Sequence, residues 1–119
     1  MRTRLTEMLG CRYPIIQTAM GWVADAKLVA ATTTAGGFGF LAGAVMTADE
    51  VERGILEIKA LTDGPFGVNF HMYVAQAPAI VDLRIKYGVR AVSYSRSPVP
   101  ALIEKLKAAQ IICIPTVGA

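Results

Sequence analysis

Two short apolar runs in this chain end on carboxamides: Pro14-Ile15-Ile16-Gln17, which continues into Thr18-Ala19-Met20-Gly21, and Pro65-Phe66-Gly67-Val68-Asn69. A carboxamide can donate and accept at one site. If each run is a buried strand, its amide lies at the C-terminal end, where parallel α/β proteins place ligands. His71, the only histidine, follows two residues after Asn69. It can be a general base, but no carboxylate partner or second histidine is visible, which favours an ordinary loop histidine. Trp22, Tyr73 and Tyr94 also follow strands, where they either line an aromatic pocket or cap the sheet. Ser93-Tyr94-Ser95-Arg96-Ser97 reads as a polar loop, because no strand–glycine–helix context makes it an anion site. Cys11 and Cys113 form no CxxC pair, so neither zinc nor a disulfide framework is indicated, and Cys113 reads as a small core residue.

These residues need elements to position them. Ala24 to Ala35 reads as a first helix, with Gly36-Gly37 as its exit. Thr47-Ala48-Asp49-Glu50 has the form of a capping box, and Val51, Ile55, Ile58 and Leu61 recur at helical spacing behind it. Two more helices are expected over Ala79 to Tyr87, with Ile80, Leu83 and Tyr87 inward, and over Val99 to Ala109, with Leu102, Ile103 and Leu106 inward. Between them lie continuous apolar runs, Ile15 to Gln17, Phe38 to Leu41, Phe66 to Asn69, Val89 to Tyr94 and Ile111 to Pro115, as strands covered on both faces require. Gly37-Phe38-Gly39-Phe40-Leu41-Ala42 matches the G-x-G-x-x-A dinucleotide pattern, but it leaves a helix and enters a strand, the reverse of that fingerprint. The order βαβαβαβαβ predicts a parallel sheet, either open and doubly wound or curved into a barrel. The segment Arg2 to Tyr13 precedes the first strand and can cap one end of the sheet.

Composition narrows the classes. Of 119 residues, 54% are hydrophobic, more than the ~45–50% usual for a soluble domain, so extensive burial is implied. No uninterrupted apolar run approaches the ~18 residues of a membrane span, and the N-terminal residues lack the apolar core of a secretory leader, so a cytoplasmic location is expected. Twelve basic and nine acidic residues are scattered along the chain, a pattern that does not indicate nucleic acid.

Taken together, Leu5-Thr6-Glu7, Tyr13 to Met20, Ala35-Gly36-Gly37-Phe38-Gly39, Leu61 to Asn69 and Gly88-Val89-Arg90 resemble the nitronate monooxygenase family, FMN-dependent flavoproteins built on a TIM barrel. The resemblance implies that Ala19 and Met20 run along the flavin ring, that Asn69 contacts FMN, and that Thr116 lies where relatives touch the flavin. It also implies that the family's catalytic histidine, glycine-rich segment and phosphate loops fall beyond Ala119, so no catalytic residue is assigned and residues 1–119 form one partial barrel domain. The implied reaction is oxidation of an alkyl nitronate by oxygen through FMN. Relatives of the same fold include flavin-dependent reductases acting on enoyl thioesters or degradation intermediates. A non-catalytic half-barrel binding module and a free-standing flavodoxin-like domain are further alternatives.

A partial barrel leaves two open sheet edges and no opposite wall for inward residues, expected to be Ile16, Phe40, Val68, Val92 and Ile112. At ~25 cal/mol per Å², ~400 Å² of uncovered apolar surface costs ~10 kcal/mol, comparable with a domain's whole stability. Self-association, or a missing C-terminal half, is therefore expected alongside a small-molecule substrate.

Overall fold

A computed structural model describes residues 1–71, 77–95 and 99–116. Thr3 caps a short helix α1 (Arg4–Leu9), which ends at Gly10. Then follow β1 (Ile16–Gln17), α2 (Ala26–Thr34), β2 (Phe38–Leu41), a 3₁₀ turn (Gly43–Val45), α3 (Ala48–Leu61), β3 (Gly67–His71), α4 (Ala77–Tyr87), β4 (Ala91–Ser95), α5 (Pro100–Ala108) and β5 (Ile112–Pro115). The anticipated elements are present to within two residues at most ends. Helix α1 is an addition, since six residues give too little periodicity to detect.

The five strands are all parallel and lie in sequence order, β1-β2-β3-β4-β5. A doubly wound sheet reverses its order at a switch point. This one does not, so the flavodoxin-like alternative is excluded and the arrangement is that of consecutive strands of a TIM barrel. Helices α2 to α5 all pack on one face. Ala26 and Val29 of α2 join Val51, Ile55 and Ile58 of α3 over Leu41 and Val68. Ile80 and Val81 of α4 join Leu106 of α5 over Phe70, Val92 and Tyr94.

The opposite, inner face carries Phe38, Phe40 and Ala91, closed from below by Leu9 of α1, with Ile112, Ile114 and Ala19 packed alongside. Segment 2–13 thus caps the sheet through α1. Two expected inward residues belong to the other face: Val68 and Val92 are fully buried beneath the helices. Side chains alternate with period 2, so a one-residue error in phase exchanges the faces. Phe40 and Ile112 are inner as expected, and Ile16 is exposed at the sheet edge.

The inner face is built in register layers. Phe40, Gly67, Ala91 and Ile112 align across four strands. A Cβ on Gly67 would overlap the Phe40 ring, so the glycine is the space that the ring fills. The next layer up is Asn69, Ser93 and Ile114, and above it His71 pairs with Ser95.

On the helical side, α3 has the anticipated capping box between Thr47 and Glu50 and buries Val51, Ile55 and Ile58, while Leu61 is exposed. The buried face of α4 is Ala77, Ile80, Val81 and Arg84; of the expected inward residues Ile80 is buried and Tyr87 packs half-buried against the α2–α3 cluster, while Leu83 is only half-buried. A charged residue occupies a core position there. No described helix is long and apolar enough to cross a membrane.

Candidate functional site at the C-terminal strand ends

The candidate residues all follow or end strands on the same side of the sheet. Ala19 and Met20 come two and three residues after β1. Ala19 is half-buried against the inner cluster, and its backbone N–H and C=O have no hydrogen-bond partner among the described residues. Met20 is 41% exposed, and its carbonyl accepts from Val23 and Ala24, which closes the turn leading into α2. Gln17 contributes differently. Its Nε2 donates to the carbonyls of Thr18 and Phe40, stitching β1 to β2, so the donor end of this amide is occupied by the backbone, while Oε1 is buried with no partner among the described residues.

Asn69 lies on the inner face of β3. Its Nδ2 donates to Ser93 Oγ at 3.2 Å, and the opposite end of the carboxamide, Oδ1, has no partner among the described residues. The serine fixes the side-chain rotation and leaves an acceptor directed away from it. Thr116 follows β5, is exposed, and donates its backbone N–H to Tyr94 O at 2.7 Å. The structure thus gathers the four residues at one end of the sheet, on strands one, three and five.

Other expectations change. His71 is the last residue of β3 and not a loop residue, and its Nδ1 lies 3.2 Å from Ser95 Oγ. Ser93 and Ser95 belong to β4 and turn inward, so half of the serine-rich stretch is a polar ladder facing Asn69 and His71. The alternation of Ser and Tyr in Ser93-Tyr94-Ser95 was the available signal, since period 2 marks a strand. Tyr94 is buried on the helical side against Phe70, so it lines no inner pocket. Burial and the neighbouring Cys113 raise its phenol above the usual range. Tyr73 and Ser97 lie outside the described residues. Trp22 is 89% exposed with φ 61°, in the turn that follows β1. Cys113 packs among the helix-side residues, and burial pushes its thiol up. Cys11 packs against the inner cluster, so the two free cysteines sit on opposite faces of the sheet.

The arrangement suits a planar, polar-edged ligand. An open backbone at Ala19 and a pinned amide at Asn69 can meet the edge of a ring system lying above the inner layer that Phe40 and Ile112 fill. Among the described residues no cluster of His, Cys, Asp and Glu could hold a metal ion.

Comparison with known proteins bears on the fold and the family. The chain is 50% identical, over all 119 residues, to (3aS,4S,5R,7aS)-5-hydroxy-7a-methyl-1-oxo-octahydro-1H-indene-4-carboxyl-CoA dehydrogenase of Rhodococcus jostii, and spans 34% of that protein's length. Its fold matches FabK from Thermotoga maritima with a TM-score of 0.93 at 32% identity, covering all of this chain and 38% of that one. It matches a nitroalkane oxidase from Streptomyces ansochromogenes with a TM-score of 0.83 at 26% identity, covering 97% of this chain and 42% of that one. The chain therefore spans 34–42% of the length of these three proteins. Residues 2–79 match the family model for nitronate monooxygenase, which covers both amide-bearing strands, and on that match the chain belongs to the nitronate monooxygenase family.

Proposed function

We propose that this chain forms the ring-binding part of an FMN-dependent oxidoreductase whose substrate is an acyl-CoA thioester. The observation that carries the flavin reading is Asn69, an inward amide held at one end by Ser93 with its oxygen open to the face on which Ala19 also lies. In this reading the Ala19–Met20 backbone, the Asn69 carboxamide and Thr116 are the groups that would hold the isoalloxazine ring. Bound flavin supplies a two-electron or one-electron acceptor, and the protein orients the substrate over it and keeps water away. The phosphate of FMN would be held by the late loops of a complete barrel.

The thioester substrate is favoured by the 50% identity across the whole chain to a CoA-thioester dehydrogenase. A second reading, oxidation of alkyl nitronates, is favoured by the family model. Adding each substrate without oxygen to the flavin-loaded protein and following the visible flavin band separates the two. Bleaching by the thioester and not by propyl-2-nitronate is the expected result, and the reverse selects the second reading. Titration of the apoprotein with FMN comes first. Trp22 is the only tryptophan, so quenching of its emission, excited selectively, reports on the β1 turn alone. An Asn69→Leu variant that binds FMN as tightly as the parent chain would count against the assignment.

A further inference from the structure

Arg84 is the only charged side chain among the described residues that is fully buried. It projects from α4, its guanidinium carbon lies 4.4 Å from the centre of the Phe70 ring, and Nη2 donates to the backbone carbonyl of Asn69 at 3.0 Å. No described carboxylate pairs with it, and Nε and Nη1 have no hydrogen-bond partner among the described residues. Burial alone pushes its pKa down to about 9. Burying a cation against one carbonyl and one ring is costly, and apolar residues of similar volume commonly pack such sites at no loss. Stability therefore does not account for an arginine at this position.

Its partner does. Strand β2 pairs with β3 only as far as Leu41 opposite Val68, so Asn69 is the first residue beyond that ladder. A backbone carbonyl there needs a donor from elsewhere. The turn after β2 runs close by at Gly43, where a Cβ would overlap the Asn69 carbonyl oxygen and lie 3.3 Å from Arg84 Nη2. Gly43, the Asn69 carbonyl and the guanidinium thus form a clasp at the top of the sheet.

We propose that Arg84 is a positioning residue: its charge-assisted hydrogen bond fixes the Asn69 backbone past the end of β2, and so sets the direction in which the Asn69 amide enters the inner face. This rests on the reading of Asn69 as the ligand-contacting amide. The guanidinium acts from the helical layer, on the opposite side of the sheet from the site, and touches no ligand itself. It orients Asn69 from the backbone, as Ser93 does from the side chain.

Asn69 is the only asparagine in the chain, so selective ¹⁵N-asparagine labelling gives a single side-chain amide signal without any ligand present. Arg84→Met is expected to shift and broaden that signal and to weaken FMN binding roughly tenfold, the scale of one hydrogen bond to a charged group. Arg84→Lys, which keeps a cationic donor, is expected to restore most of both. Gly43→Ala keeps the arginine but crowds the carbonyl and the guanidinium together, and is expected to move the Asn69 signal in the same way. A folded Arg84→Met protein with an unmoved Asn69 amide overturns the proposal. Should that variant fail to fold, an unmoved amide in Gly43→Ala overturns it equally. If the parent chain takes up no FMN, the flavin reading falls, while the amide signal still judges the clasp.

Discussion

Trp22 carries a bulky side chain at φ 61°, in the left-handed region that costs an L-residue about 1–2 kcal/mol. Nothing repays this by burial, because the indole is 89% exposed. The turn itself is held by other groups: Met20 O accepts from Val23 and Ala24, and Ala24 O accepts from Ala42 N at 3.0 Å. Trp22→Gly should therefore leave the protein as stable as before or more so by up to about 1 kcal/mol, the strain relieved being larger than glycine's added chain entropy. Denaturant unfolding measures this, and a loss of stability would show that the indole packs on something in solution. Gly67 is the opposite case. Its missing Cβ is the room taken by the Phe40 ring, so Gly67→Ala should destabilise by about 1–3 kcal/mol. Adding Phe40→Leu, which shortens the clashing side chain, should recover part of that loss. A double-mutant cycle showing simple additivity would mean that the two residues do not share the space.

Among the elements, α3 is the one whose start is fixed locally. Thr47 Oγ accepts from the Glu50 N–H at 3.2 Å, and Glu50 Oε1 accepts from the Thr47 N–H at 3.1 Å. Thr47→Ala should cost about 1 kcal/mol, seen as a melting temperature lower by roughly 4–8 °C. The same box has a pH signature. Hydrogen bonds from the backbone and side chain of Thr47 hold the Glu50 carboxyl below its ordinary value of 4.5. Its contribution is then complete above pH 4.5 and is lost as pH falls through the folded-state value. The difference in melting temperature between parent and Glu50→Gln should shrink on acidification below that point, and a constant difference would mean that the charge of Glu50 takes no part. This box was readable directly as Thr-x-x-Glu ahead of an apolar stripe. The strands were readable as apolar runs, but not their phase. In Phe66-Gly67-Val68-Asn69-Phe70 every position except the asparagine suits either face, and only pairing with Ser93 shows which is inner. Arg84 was hidden for a different reason. It stands four residues after Ile80 and three after Val81, on the buried stripe, yet an arginine normally marks the solvated face. Asn69 was visible as a strand-ending amide, whereas the residues that aim it, Ser93 and Arg84, lie 24 and 15 positions away and meet it only in the fold.

At the scale of the whole molecule, packing is one-sided. The radius of gyration is 13.1 Å, close to the ~13.5 Å expected of a compact chain this long, and the helix layer accounts for most of the buried side chains. The inner face has α1 at its lower end and, among the described residues, no layer of helices to match those on the other side. Among the described residues β1 and β5 each pair with one strand only. On the β1 side apolar groups collect: Tyr13 is 40% exposed, Ile15 62%, Ile16 38% and Met20 41%. A parallel edge strand bordered by apolar side chains offers unpaired N–H and C=O groups to any second strand, while charge at an edge opposes such pairing. The isolated chain is therefore predicted to associate through this edge. Size-exclusion chromatography with light scattering should give a mass above that of one chain, rising with concentration. Ile16→Lys, which sets a charge on β1, should shift it toward the single-chain mass without changing the helical circular dichroism. A parent chain that stays monomeric at high concentration and melts cooperatively would show that the inner face and the β1 edge are already satisfied within one copy.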